Sequence, residues 1–342
     1  MISLSAAVEA LFKPSSDERK IGVELELLVY HRDRRLPVTI AESSAALAAD
    51  PTLMTEANIS FEPGGQIELS PAPDADVEHL IVRLQDLFDR TRHALASADL
   101  TAVLQGTDAR RTNEAVGLQK RSERYVRMQQ HFDRVGPWGR RMMRQTAGLQ
   151  ICVSLAAGES GRQQWLLANL MAPVLQAIFA NSPTLEGRRT GLTSTRSAVW
   201  QALDPSRTGF AGDWFAGDPV EAYLRFAARA TRIPIAGVPD PVTTHLTTLF
   251  PPVRPRGDYL ELRCLDAVPL SQAALAIRLV SRLLHTADLR EVALKSLLAN
   301  PLEMTGGWAR AARYGLADPD LAARAARLLE IAGLHSARRV AA

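Results

Sequence analysis

Residues 21–30 read IGVELELLVY, and no other stretch restricts the fold of this chain so tightly. Side chains alternate between the two faces of an extended strand. Gly22, Glu24, Glu26 and Leu28 therefore share one face, and Val23, Leu25, Leu27 and Val29 share the other. The apolar face belongs in a core. The acidic face needs either bulk water or a site that uses negative charge.

The same division recurs downstream. In FEPGGQIELS (61–70), Glu62, Gln66, Glu68 and Ser70 share one parity, against Phe61, Pro63, Ile67 and Leu69. The pair Gly64-Gly65 leaves room for a bulge or for a ligand to approach the backbone. In TAGLQICVSL (146–155), Thr146, Gln150, Cys152 and Ser154 oppose Ala147, Leu149, Ile151, Val153 and Leu155. In YLELRCL (259–265), Glu261 and Arg263 oppose Leu260, Leu262 and Cys264.

A one-sided antiparallel sheet can simply turn such polar faces to water. For one strand that reading suffices, but here Glu24, Glu26, Glu62, Glu68 and Glu261 would crowd one surface. Carboxylates at i and i+2 stand roughly 7 Å apart and repel by about 2 kcal/mol at an effective dielectric near 20. Such a cluster calls for cations, and oxygen-only ligands on a sheet suit Mg²⁺ or Mn²⁺. The histidines (His31, His79, His93, His131, His245, His285 and His335) are scattered, and Cys152 and Cys264 lack metal-ligand spacing, so nothing points to zinc.

Strands are predicted at 20–30, 60–70, 100–106, 146–155 and 257–265. Helices are predicted at 77–98, at 161–181 with an interruption at Pro173, at 270–298 and at 319–333. The stretches 233–244 and 250–258 read as loops. Strands and helices mix without a βαβ repeat, which predicts an α+β fold with helices on one face of the sheet. No linker divides the 342 residues, so one domain over 1–342 is expected, helical from about 270.

Two cysteines are too few for a disulfide framework, and no apolar run reaches the ~18 residues of a membrane span. The start, MISLSAAVEALF, carries Glu9 and no basic leader, so a cytoplasmic protein without membrane association is expected. There is no P-loop, no G-x-S-x-G elbow and no Rossmann fingerprint. If cations carry a nucleotide here, arginines must hold its phosphates. Arg263, Arg196 in GLTSTRSAVW and Arg207 in DPSRTG are candidates, although a surface or salt-bridge role is the commoner fate of any one arginine. The basic segment Arg110–Arg144, with Tyr125, Phe132 and Trp138, could suit nucleic acid. A helix whose arginines are solvated or pair with the acidic site is the favoured reading, and no nucleic-acid partner is expected.

IGVELEL, FEPGGQIELS, TAGLQICVSL, IFANSPTLEG, STRSAVWQALDPSRTG, HLTTLFPPVRPRGDYLELRCLDAVP and WARAARYGLADP follow one another from about residue 20 to 318. In that order they resemble the glutamate–cysteine ligase family of the plant and proteobacterial type, and within it the actinobacterial members that make γ-glutamylcysteine for ergothioneine. The resemblance implies a glutamine-synthetase-like fold: a curved, mostly antiparallel sheet, helices on its outer face, and Mg²⁺, ATP and glutamate on its concave face. It implies a ligase that activates the glutamate γ-carboxylate as an acyl phosphate and transfers it to the amine of cysteine. By matching motif, Glu24, Glu26, Glu62, Glu68 and Glu261 would hold the metals, and Glu24, Glu26, Glu261 and Arg263 would form the catalytic set. Glu62, Gln66, Gln150, Cys152, Arg196, Arg207 and Arg263 would contact ATP or substrate. The expected partners are small molecules: ATP, glutamate, and cysteine or another amine.

Two departures bear on the acceptor. Relatives have Asn or His where this chain has Cys152, and they usually carry a few dozen more residues where only AGVPDPVTT (236–244) stands between RIPI and HLTTLF. A ligase with a different amine acceptor, or a non-catalytic paralogue, are the alternatives these leave open. The sequence does not specify an oligomeric state.

Overall fold

The computed structural model describes residues 2–14, 19–33, 36–56 and 58–334, so His335 lies outside the described residues. Its strands are β1 (Ile21–His31), β2 (Asn58–Phe61), β3 (Ile67–Ser70), β4 (Leu100–Val103), β5 (Gly148–Ser154), β6 (Thr184–Leu185), β7 (Arg188–Arg189), β8 (Val253–Pro255) and β9 (Tyr259–Asp266). Seven of them form one sheet in the order β2-β3-β1-β5-β9-β8, with β4 also paired to β1. Every pairing between these strands is antiparallel. The short β6–β7 ribbon stands apart.

The apolar parity of β1 is the core face, as expected: Val23, Leu25, Leu27 and Val29 are all buried. Helices Val77–Ala96, Gly158–Ile178 and Leu270–His285 pack against the sheet. Each fully buried Leu or Val contributes about 1.5–3 kcal/mol relative to exposure. Asp76 caps the first of these helices by accepting from the Glu78 and His79 N–H groups. A second, smaller apolar cluster (Met128, Phe132, Met142, Met143, Val199, Trp200 and Phe250 among others) gathers separately from the main core.

Several local expectations change. The run 60–70 is a hairpin, not one strand. The Glu62 N–H donates to Gln66 O (2.8 Å) and the Gly65 N–H to Glu62 O (2.9 Å). Gly65 has φ +88°, and a Cβ on Gly64 would lie 2.3 Å from Arg144 O, so both glycines are required. The helix Gly158–Ile178 runs through Pro173 without a break. The burial of nearly every residue around Pro173 offsets the ~3 kcal/mol local cost of an internal proline. The predicted helix 270–298 is two helices, Leu270–His285 and Ala287–Ala299, parted by extended backbone at Thr286. The loop 250–258 contains the edge strand β8, a position that tolerates Pro255. Within 233–244, Asp240 caps a further helix, Pro241–Thr247.

Candidate active site

The sheet register assembles the polar face into rows. Ser60 pairs with Glu68, and Glu68 with Glu26. Glu24 stands opposite Gln150. Gly22 pairs with Cys152, Cys152 with Glu261, and Glu261 with Arg254 on the edge strand. A bulge interrupts the β5–β9 pairing between Leu149 and Ile151, where Arg263 and Cys264 together face Gln150. Glu261 and Arg263 enter the cavity, whereas Cys264 turns its thiol to Ala172 O (3.6 Å) on the helix side.

A cavity of about 270 Å³ lies over these rows. All five expected glutamates line it, with Gln66, Gln150 and Arg263. Glu62 reaches it from the hairpin turn rather than from a strand. Trp200, Phe250 and Met128, Met142 and Met143 of the smaller apolar cluster form its apolar wall, beside Arg124, Tyr125, Arg254 and Arg256.

The charges fall into two groups. Burial, then Glu261 and Glu68, pushes Glu24 up to about 7. Burial, then Glu62, pushes Glu26 up to about 7, against a 2.6 Å hydrogen bond from the Gly148 N–H. Burial and Glu68 do the same to Glu62, also to about 7. Burial and Glu26 raise Glu68, which accepts from Ser60 Oγ at 3.0 Å. Glu261 behaves oppositely. Burial pushes it up, but Arg263, Arg254 and Arg256 together outweigh burial and hold it below the ordinary glutamate value. Arg254 Nη2 sits 2.8 Å and Arg256 Nε 3.5 Å from Glu261 Oε2, and Arg263 pairs with the other carboxylate oxygen.

The donors are all oxygen, and four raised carboxylates at one surface demand positive charge, so the chemistry of the set suits a hard divalent cation. Their side chains do not converge: among the described residues no group of three or more His, Cys, Asp or Glu is arranged to hold a metal ion. Glu261, expected as a metal ligand, is committed to guanidinium groups in this arrangement.

Other expected residues find different places. Gln66 Nε2 donates to Thr146 O (2.8 Å) and its Oε1 accepts from the Gly64 N–H (3.0 Å), so the amide locks the hairpin turn at the cavity edge. Gln150 donates to Glu26 (3.3 Å), while its Oε1, buried, has no partner. Cys152 lines a neighbouring cavity of about 270 Å³, with Gly22, Pro71, Pro73 and Tyr259, and Glu24 is the wall common to both. Burial, Glu261 and Glu24 push its thiol well above the usual range.

Arg196 and Arg207 do not line the cavity. Arg196 is buried on the polar face over Gly148, beyond the cavity wall, where Nη2 donates to Arg263 O (3.0 Å) and the guanidinium stacks on Trp200. A Cβ on Gly148 would lie 2.5 Å from that nitrogen, so the glycine makes the space. Arg207 is wholly buried and folds back on the turn it belongs to, donating to Asp204 Oδ2 (3.1 Å) and Thr248 Oγ1 (3.0 Å). The basic segment pairs largely within the chain, through Arg111–Asp108, Arg140–Asp133 and Arg141–Glu186, and sends Arg124 and Tyr125 to the cavity.

Arg254 and Arg256 were not anticipated. The signal was present, since VRPR alternates and its arginines share one parity, but Pro255 makes the run read as a loop. Trp200 and Phe250 gave no local signal, because their role comes from packing over a sheet distant in sequence.

The profile described as Glutamate-cysteine ligase family 2(GCS2) matches residues 20–342. The glutamate–cysteine ligase EgtA of Mycolicibacterium smegmatis is 34% identical over 334 residues, covering 88% of this chain and 77% of that protein. The chloroplastic glutamate–cysteine ligase of Brassica juncea is 25% identical over 287 residues, covering 75% of this chain and 54% of that protein. Among solved structures, a glutamate–cysteine ligase from Francisella tularensis in complex with AMP superposes with a TM-score of 0.54 at 14% identity, covering 94% of this chain and 80% of that one. That likeness supports the expected fold, a mostly antiparallel sheet with helices on one face and the polar face opposite. No described helix is long and apolar enough to cross a membrane.

Proposed function

The chain belongs to glutamate–cysteine ligase family 2, and from that membership we propose that it joins the γ-carboxylate of glutamate to the amine of cysteine, with ATP as the activating substrate. The γ-carboxylate oxygen attacks the terminal phosphorus, ADP leaves, and γ-glutamyl phosphate forms. The cysteine amine then attacks the acyl carbon, phosphate leaves, and the nitrogen gives up a proton to yield the amide. Both steps press anions together, so they need neutralised charge and alignment more than a protein nucleophile.

The observation that carries this reading is the divided cavity. Glu24, Glu26, Glu62 and Glu68 form a surface that calls for cations, and beside it Arg254, Arg256 and Arg263 form one that calls for anions. Mg²⁺ or Mn²⁺ bound by the glutamates would neutralise the nucleotide's phosphates. Arg263 and Arg254, aimed by Glu261, face the transferring phosphoryl group or a glutamate carboxylate. Gln150 offers its unpartnered carbonyl oxygen to a substrate ammonium. Trp200 and Phe250 keep water from the acyl phosphate. The mostly apolar cavity around Cys152 shares Glu24, so a nucleotide with its phosphates near Glu24 finds room there for its base. Free cysteines and ATP use both fit the cytoplasm.

The test is ADP release with Mg²⁺, ATP and glutamate, adding each amino acid or simple amine in turn. Cysteine should stimulate most. No stimulation by any amine, with ATP still bound, would overturn the reading.

A further inference from the structure

A third cavity, of about 180 Å³, adjoins the central one along the edge strand β8. Arg254 and Arg256 line both. Its remaining wall is mostly apolar: Ala7, Ala10 and Leu11 from the N-terminal segment, Tyr223 from helix Pro219–Arg229, and Leu246 and Thr247 from helix Pro241–Thr247.

Three observations point to a ligand. Arg254 uses Nε and Nη2 on Glu261, and no hydrogen bond is made by its Nη1 among the described residues, which leaves the guanidinium able to meet a second anion. Tyr223 is wholly buried, yet its hydroxyl has no hydrogen-bond partner. Such a group is costly to leave unmet, so a ligand that supplies its partner is favoured. Finally, the N-terminal wall is held in place rather than draped over the opening. The Gly257 N–H donates to Leu11 O at 3.0 Å, and Phe12 packs edge-on against Trp165 and Tyr223 at 5.4 and 6.0 Å. That wall precedes residue 20, where the family match begins, and the Leu246–Thr247 wall closely follows the 236–244 connection.

We propose that this chamber receives the amine acceptor, a small α-amino acid. Its carboxylate lies toward Arg254 and Arg256, and its short, weakly polar side chain sits among Ala10, Leu11 and Leu246 with Tyr223 as hydrogen-bond partner. The N-terminal segment is then a selectivity element, closing an acceptor site whose other side is the shared arginine pair. The inference rests on the ligase reading and specifies where the third substrate binds.

Filling the chamber with Ala10→Phe should raise the KM for cysteine at least tenfold, and Tyr223→Phe about three- to tenfold. The KM values for ATP and glutamate should stay within twofold, with an unfolding midpoint close to that of the parent. Leu246→Ala should shift preference from cysteine toward a longer amino acid such as homocysteine. An unchanged cysteine KM in both filling and hydroxyl variants, or equal rises in cysteine and glutamate KM, would overturn the proposal. Binding of cysteine alone, followed by saturation-transfer NMR on parent and Ala10→Phe proteins, separates the two readings. If no amine supports turnover but the signal is lost in Ala10→Phe, the chamber stands and the ligase reading falls. If the parent gives no cysteine signal even with ATP, Mg²⁺ and glutamate present, the chamber falls.

Discussion

Two parts of one cavity floor use the same residue type to opposite ends. On the β1–β3 side, Glu24, Glu26, Glu62 and Glu68 are buried together and hold protons more tightly than ordinary glutamates. On the β8–β9 side, Glu261 is just as deeply buried and holds its proton less tightly, because three arginines surround it. Burial alone would drive all five the same way. The partner within hydrogen-bond reach decides the sign. One side therefore calls for positive charge, while on the other the arginines already supply it.

Swapping each side's carboxylate for an amide should break this contrast most visibly. Glu24→Gln should reduce ATP- and glutamate-dependent turnover about a thousandfold or more, about 4 kcal/mol in the barrier, without lowering the metal-free unfolding free energy measured in urea. Surviving turnover would mean the acidic side does not serve the reaction. Glu261→Gln should instead cost about 3–5 kcal/mol of folding stability, since it strands buried guanidinium groups, and a stability equal to the parent's would show that the arginines do not depend on it.

The acidic side should also announce itself through pH. Glu24, Glu26 and Glu62 have folded values of about 7 against an ordinary 4.5. Folding therefore favours their protonated forms. The stability they contribute is full below pH 4.5 and drains as pH rises through about 7. A single group moved from 4.5 to about 7 corresponds to about 3 kcal/mol. The metal-free protein should lose melting temperature between pH 5 and 8, and Mg²⁺ should restore it chiefly above pH 7. A flat profile, or equal rescue at pH 5, would contradict this account. The smallest effect is expected outside both sides: Arg207→Lys should cost about 1–2 kcal/mol of stability, as one buried hydrogen-bond set loosens, while substrate KM values hold.

What the sequence disclosed follows the range of each physical rule. Strand alternation is local, so parity alone found the glutamates, Gln150 and Arg263, and placed the core on the correct face. Glu62 lines the cavity although it sits in a turn, because the hairpin returns it to the face that parity named. Arg196 and Arg207 lie on short helices, where facing is decided by distant elements, and neither lines the cavity. Parity also puts Cys152 on the polar face, but that it borders a neighbouring cavity is not legible from it, since which cavity a strand residue borders depends on its neighbours across the sheet. The division of labour between Glu24 and Glu261 was equally invisible, because Arg254 meets Glu261 only through strand pairing.

The bulge in β9 has a consequence for how this chain can change over generations. It lets residues of opposite parity point the same way: Glu261 stands opposite Cys152, and Asp266 stands opposite Gly148 on the same face. Asp266 there accepts from Ser182 Oγ (2.7 Å) and Ser194 Oγ (2.9 Å), anchoring the loops behind the cavity. Substitutions along the strand can adjust either end separately. Gain of a single codon between 262 and 265 cannot, because it throws one end or the other onto the apolar face, whereas loss of Cys264 leaves an even ladder with Glu261 still opposite Cys152 and Asp266 still opposite Gly148. The segment can be shortened by one residue but not lengthened by one, and a library of single-codon changes should hold folded members lacking Cys264 but none with a residue inserted beside it.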